Sequence, residues 1–134
     1  MIPMKIKLIL IAAFVTLFSA SAVRAQQIKA PDLVEVTQAQ QMSAQGSLLL
    51  DVREPDEYDE VHAPNSKLIP LGQLSSRLAE IANFKDKSVV VICHSGVRSQ
   101  KAAKLLQDVG FSHASSVAGG MVAWEKAGLE VIKK

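Results

Sequence analysis

The sequence predicts a three-layer α/β domain with a mostly parallel central sheet flanked by helices. Apolar runs of strand length alternate along the chain with segments whose apolar residues recur at helical spacing. Two runs, residues 48–50 and 88–92, are rich in apolar residues without alternation, which is typical of parallel strands buried on both faces. Ligands bind beyond the carboxyl ends of such strands, so the residues that follow these two runs are candidates for function.

Local signals set the order of the elements. Strands are predicted at residues 33–36, 47–52, 67–69, 88–92 and 115–117. Helices are predicted to follow Thr37 as an N-cap, and to start near Pro55, Gln73, Arg98 and Met121. The ends of these five helices are predicted near Gly46, Tyr58, Ala82, Gly110 and Lys126, respectively.

The one cysteine of the chain, Cys93, follows the run 88–92 and opens a strand-loop-helix turn. The unpaired amides of the loop and of the first helical turn, the helix dipole and the guanidinium of Arg98 all favour an anion there. These groups are expected to stabilise a Cys93 thiolate, and Gly96 lets the backbone curl around the pocket. Cys93 as a small core residue and His94 as a solvated loop side chain remain open alternatives.

The loop resembles that of a known family, since Cys93 to Ser99 fit the Cys-x-x-Gly-x-Arg active loop of small rhodanese-type sulfurtransferases. Further segments resembling the family lie at residues 49–58 with Asp-Val-Arg, at 62–64, at 69–71, at 117–124 with Gly-Gly-x-x-x-Trp, and at 128–129. One departure is the segment 65–67, Asn-Ser-Lys, where the family usually has Gly-Ala and a small polar residue.

This resemblance implies a thiosulfate sulfurtransferase. The Cys93 thiolate takes the outer sulfur of a small anionic donor such as thiosulfate, and the persulfide passes it to cyanide or a thiol acceptor, including a protein thiol. The residues implied to bind the donor and the persulfide are His94, Ser95, Gly96, Val97, Arg98 and Ser99. Asp51 and Arg53 are implied to support the loop, with a strand-end ion pair that has no contact to the site as the open alternative.

Two other functions are weighed against this one. A non-catalytic sulfur carrier, or a module that binds a protein partner, stays open. A cysteine phosphatase also uses a thiolate in a cradle of amides, but its loop between cysteine and arginine is longer than the four residues found here. In addition, Ile92 precedes Cys93 where a phosphatase usually has histidine.

Residues 1–25 have the pattern of a cleaved secretory signal, which leaves residues 26–134 as one domain. Lys5 and Lys7 precede an uncharged apolar run at residues 8–18, and Val-Arg-Ala at 23–25 forms the cleavage site. A membrane anchor is the competing interpretation, but the run is shorter than the roughly 20 residues of a spanning helix. The domain is therefore expected in the periplasm, without a stable membrane anchor.

Charge and composition exclude several classes of function. Of the 15 basic residues, Lys5, Lys7 and Arg24 lie in the predicted signal, so 12 remain against 13 acidic ones, a net charge of −1 in place of +2. No basic stripe with aromatic residues remains, so nucleic-acid binding is not expected. A single cysteine permits no internal disulfide, and the three histidines lack metal-ligand spacing. No metal or cofactor is expected.

A run of acidic residues follows the strand that ends near Asp51. Its members are Glu54, Asp56, Glu57, Asp59 and Glu60. A metal site or a partner patch are possible roles, but such runs are most often solvated, and the run is interpreted as a solvated face.

Overall fold

The computed structural model describes residues 32–134, so the predicted signal at residues 1–25 lies outside the described residues. The strands are β1 (Asp32–Val34), β2 (Leu48–Asp51), β3 (Val61–His62), β4 (Ser66–Leu68), β5 (Val89–Ile92), β6 (Ala114–Val117) and β7 (Ile132–Lys133). The helices are α1 (Val36–Ala44), α2 (Pro55–Glu60), α3 (Leu71–Leu74), α4 (Val97–Asp108) and α5 (Gly120–Lys126), with a 3-10 helix at Leu78–Phe84. Within residues 32–134, no helix has the length and apolar character needed to span a membrane.

The central sheet has five strands in the order β1-β6-β5-β2-β4, and every pair is parallel. A small antiparallel pair, β3 with β7, lies apart from this sheet. Helices cover both faces of the sheet, so the predicted fold class is confirmed. Parallel strands need a crossover between them, and the intervening helices and turns supply it.

Side chains of the neighbouring inner strands β2 and β5 alternate between two cores. Leu48 and Leu50 pack in the core that includes residues of α3, α4 and the 3-10 helix. Leu49 packs in the core that includes residues of α1 and α5. Successive side chains of a strand point to opposite faces, so a strand covered on both sides is apolar throughout. Trp124 of α5 fills the second core at 1% exposure, and its Nε1 donates a hydrogen bond to the Glu130 carbonyl at 2.9 Å.

The chain reverses its winding direction between the neighbouring strands β2 and β5. The next strand of this sheet along the chain after β2 is β4, which lies on one side of the β2–β5 pair. The next strand after β5 is β6, which lies on the other side. Asp51 pairs in register with Ile92, so the two strands end together, and Cys93 comes next. A crevice forms where connections leave in opposite directions, which places Cys93 at the edge where such sheets bind ligands.

Several predicted elements differ from the structure. The predicted strand 33–36 ends at Val34, since Val36 already belongs to α1, and β3 and β7 were not predicted. The first helix begins at Val36 after an N-cap at Glu35, not after Thr37, and Val36 packs in the core that includes residues of α1 and α5. The predicted helix 73–82 is broken into α3 and the 3-10 helix. The Ser76 hydroxyl donates to the Gln73 carbonyl at 2.9 Å, a local bond that competes with helix propagation.

The segment 65–67, where the sequence departs from the family pattern, still forms a turn. Asn65 adopts φ 60, the left-handed conformation that asparagine tolerates better than most residues. The Ser66 hydroxyl donates to the Ala63 carbonyl at 2.6 Å and closes the turn. Asparagine therefore replaces glycine here at little conformational cost.

The start of α5 is bonded to the backbone that follows β5. The Met121 amide donates to the Cys93 carbonyl at 2.8 Å, and the Val122 amide donates to the His94 carbonyl at 3.1 Å. Gly120 adopts φ 56, and a Cβ on it would overlap the Cys93 carbonyl oxygen and lie 2.6 Å from the His94 carbonyl oxygen. The absence of a side chain at Gly120 is what lets the two segments approach.

We expect Gly120→Ala to destabilise the fold by about 2 to 4 kcal/mol, because backbone atoms cannot move aside cheaply and the positive φ disfavours a Cβ. Gly72→Ala is the matched control, since a Cβ there meets nothing within 4 Å. Chemical denaturation of both variants measures the difference. Equal stability of the two variants would show that the α5 contact is not rigid.

Candidate active site

Cys93 lies at the carboxyl end of β5 with 1% of its surface exposed. The Gly96 amide donates a hydrogen bond to the Cys93 Sγ at 3.1 Å. Gly96 is the N-cap of the 12-residue helix α4 and adopts φ 104, which a residue with a side chain rarely does. The sulfur therefore accepts an amide proton where the helix dipole also favours negative charge.

Two buried serines lie behind the sulfur. Cys93 Sγ and Ser99 Oγ are 3.3 Å apart, and Ser99 Oγ lies 2.7 Å from Ser116 Oγ of β6. Both serines have no exposed surface. Ser99 was predicted from the sequence as a site residue, whereas Ser116 was not. A serine inside a buried strand is a signal that could have identified Ser116.

Arg98 forms a bidentate ion pair with Glu57 of α2. Its two terminal nitrogens donate to the two carboxylate oxygens at 2.7 and 2.9 Å, and about a third of each side chain is exposed. Hydrogen bonds from Arg98 lower the pKa of Glu57 to about 2, and the same bonds raise the pKa of Arg98. Interpreting the whole acidic run as a solvated face was thus wrong for Glu57, whose partner lies 41 residues away.

Asp51 and Arg53 form a buried ion pair at the end of β2. Arg53 Nη2 lies 2.8 Å from Asp51 Oδ2, and Arg53 Nε donates to both carboxylate oxygens at 3.0 Å. The same guanidinium donates to the carbonyls of Glu57 at 3.3 Å and Val61 at 2.7 Å. Arg53 therefore fixes α2, which in turn presents Glu57 to Arg98. Direct support of the loop by this pair stays a prediction.

The other loop residues have different surroundings. His94, Ser95 and Val97 are exposed. His94 borders a cleft of about 270 Å³ beside the loop, whose other lining residues are Arg53, Glu57, Glu60, Val61, Met121 and Glu125. The structure thus brings Cys93, Gly96 and Ser99 into contact and leaves three side chains of the loop at the surface. Across residues 32–134, no three His, Cys, Asp or Glu side chains are grouped to hold a metal ion.

Such a site can stabilise sulfur in its anionic form. An amide at a helix start contacts the sulfur, and a hydroxyl lies on its buried side. A thiolate is the nucleophile in attack on another sulfur, and no separate base is needed once it has formed. The geometry fits nucleophilic chemistry at Cys93.

Comparison with known proteins agrees with this fold. The family described as Rhodanese-like domain matches residues 35–127. The putative sulfur carrier protein YrkF from Bacillus subtilis is 42% identical over 76 residues, which are 57% of this chain and 40% of YrkF. This chain therefore spans less than half of YrkF.

Two further comparisons cover nearly the whole length of the other protein. The thiosulfate sulfurtransferase GlpE from Vibrio cholerae is 36% identical over 99 residues, which are 73% of this chain and 92% of GlpE. The crystal structure of a rhodanese-related protein from Thermoplasma volcanium has a TM-score of 0.69 and 28% identity, covering 77% of this chain and 99% of that one. Because the family match covers most of this chain, the resemblance is confirmed: the chain belongs to the family of rhodanese-like domains.

Proposed function

We propose that this chain moves a sulfane sulfur from a donor such as thiosulfate to cyanide or a thiol, through a persulfide on Cys93. The observation that carries this proposal is the position of the Cys93 Sγ, 3.1 Å from the Gly96 amide at the start of α4. Membership of the family, whose relatives include sulfurtransferases, supports sulfur transfer as the class of reaction. The thiosulfate donor is supported by the similarity to GlpE.

In the first step the Cys93 thiolate attacks the outer sulfur of thiosulfate. A bond forms from Sγ to that sulfur, the sulfur–sulfur bond of thiosulfate breaks, and sulfite leaves with the bonding electrons. In the second step the acceptor attacks the terminal sulfur of the persulfide, and Cys93 leaves as the thiolate. The terminal sulfur lies about 2 Å beyond Sγ, so it extends from the buried cysteine toward the acceptor.

Arg98 is the charged group proposed to bind the anionic donor. Its guanidinium offers a planar fork that matches oxygens of an anion, but Glu57 already occupies both terminal nitrogens. The donor therefore displaces the Glu57 carboxylate from one nitrogen or binds beside it. Loop amides between His94 and Ser99 hold the remaining oxygens and the persulfide.

The 1% exposure of Cys93 favours small partners over bulky ones. Thiosulfate and cyanide can reach a sulfur at the bottom of a loop more easily than a folded protein can. A protein thiol is proposed to take the sulfur from the persulfide, whose outer atom is closer to solvent. The similarity to the putative sulfur carrier YrkF supports such a carrier role as the second candidate function.

We expect thiosulfate to add one sulfur atom to the protein and cyanide to remove it as thiocyanate, because Cys93 is the one thiol in the chain. Intact mass and released thiocyanate measure the two steps. Cys93→Ser should do neither, and a variant that still gains sulfur would refute the assignment. Repeated turnover indicates an enzyme, whereas a single stoichiometric transfer that cyanide does not turn over indicates the carrier role.

Arg98→Ala is expected to lower kcat/KM for thiosulfate by about 10- to 100-fold, which corresponds to the loss of a charged hydrogen-bonding group. Arg98→Lys should lose less, since it keeps the charge but not the fork. Arg77→Ala is the matched control, because Arg77 is also 34% exposed and paired with a glutamate, Glu80. If the thiosulfate kinetics of Arg98→Ala are unchanged, the proposed role of Arg98 is wrong and the loop amides alone bind the donor.

We also propose that the chain is exported to the periplasm and cleaved after Ala25, on the sequence pattern of residues 1–25. N-terminal sequencing of protein from a periplasmic fraction is expected to begin at Gln26. Ala25→Leu is the control, since a large residue at this position blocks cleavage. Full-length native chain in the membrane fraction would instead indicate an anchor.

A further inference from the structure

Three side chains form a hydrogen-bonded row that leads from the active sulfur into the sheet. Cys93 Sγ lies 3.3 Å from Ser99 Oγ, which lies 2.7 Å from Ser116 Oγ. All three residues are buried, and Ser116 belongs to β6, the strand beside β5. Ser116 does not contact the sulfur directly, so any influence on Cys93 passes through Ser99.

The direction of the hydrogen bonds in this row depends on the protonation of Cys93. When Cys93 is a thiol, the thiol and the two hydroxyls bring three protons to the two hydrogen bonds of the row, whichever way the Ser99–Ser116 bond runs. Within residues 32–134 the structure gives the two hydroxyls no hydrogen-bond partner outside this row, so one of the three protons then lacks an acceptor. Buried donors without acceptors are unfavourable.

The thiolate form of Cys93 satisfies every proton of the pair. When Cys93 is a thiolate, Ser116 donates to Ser99, and Ser99 donates to the sulfur, which also accepts from the Gly96 amide. Hydroxyl protons rotate freely about the C–O bond, so the reversal needs no movement of heavier atoms. The buried pair is therefore better satisfied next to the thiolate than next to the thiol.

We propose that Ser116 is a positioning residue for sulfur transfer, which acts through Ser99 to favour the thiolate of Cys93. Its relevance to sulfur transfer rests on the proposed function, whereas its effect on Cys93 does not. The proton that Cys93 loses goes to solvent, and no proton passes along the serines, whose hydroxyls only turn. Ser116 thus contributes to the reactivity of a sulfur that it does not touch.

The charged and titratable groups around Cys93 come from several elements. Arg98 lies on α4 and is paired with Glu57 of α2, Asp51 and Arg53 lie at the end of the adjacent β2, and His94 follows Cys93 in the loop. From α5, Gly120, Met121 and Val122 contact the loop and do not titrate, whereas Glu125 of α5 and Glu57 and Glu60 of α2 line the cleft beside His94. A substitution at Ser116 leaves all of these groups in place.

The test is the pH profile of Cys93 alkylation by iodoacetamide, followed by intact mass. Ser116→Ala is expected to shift the profile to higher pH and to slow alkylation near neutral pH by about 2- to 10-fold, the effect of one hydrogen bond. Ser115→Ala is the matched control, since the neighbouring Ser115 Oγ is buried without a partner. Ser116→Thr retains the hydroxyl and should keep the wild-type profile.

A profile of Ser116→Ala that coincides with those of wild type and Ser115→Ala overturns the proposal, even if the melting temperature falls. If Ser116→Ala does not fold, wild-type behaviour of Ser99→Ala overturns it instead, because that variant removes the donor itself. Alkylation needs no sulfur donor, so the outcome is independent of thiocyanate release. An unshifted profile with normal turnover rejects the role of Ser116 alone, and a shifted profile without turnover rejects the proposed function alone.

Discussion

The contact between Gly120 and the backbone of Cys93 and His94 is the constraint on which the site depends. The carbonyls of Cys93 and His94 accept hydrogen bonds from the first turn of α5, so the loop cannot move away from that helix without losing both. Fixing these carbonyls also fixes the peptide units that follow, including the turn that brings the Gly96 amide to the sulfur. A small loop can hold an anion only when its amides keep their direction, which explains why a side-chain-free residue lies opposite it.

A second set of contacts, formed by charged side chains, links the end of β2 to the start of α4. Asp51 holds Arg53, Arg53 donates to the carbonyl of Glu57, and the carboxylate of Glu57 holds Arg98 at the start of α4. The Asp51–Arg53 pair is fully buried, where removal of one partner leaves an uncompensated charge and is strongly destabilising. The Arg98–Glu57 pair is partly exposed and correspondingly easier to open. The Asp51–Arg53 pair is therefore rigid, whereas the Arg98–Glu57 pair can open where we propose that the donor binds.

Much of the fold could be predicted from local patterns. The apolar run that ends at Ile92 indicated a central strand because only a strand covered on both faces is apolar throughout. The break between α3 and the 3-10 helix could not be predicted in this way. Leu74 and Ile81, which lie on either side of the break, keep the apolar spacing of a continuous helix. The position of Cys93 followed from the end of its strand. The partners of Glu57 and Ser116 could not be predicted from local patterns, because they lie 41 and 17 residues away along the chain.

The central claim is that the loop after β5 holds sulfur on Cys93. A crystal structure of the protein after exposure to thiosulfate tests it most directly. We expect a second sulfur atom bonded to Sγ at about 2 Å and directed toward the loop amides, with Glu57 and Arg98 still close to one another. Intact thiosulfate bound elsewhere with an unmodified Cys93, or sulfur on any other residue, would contradict it.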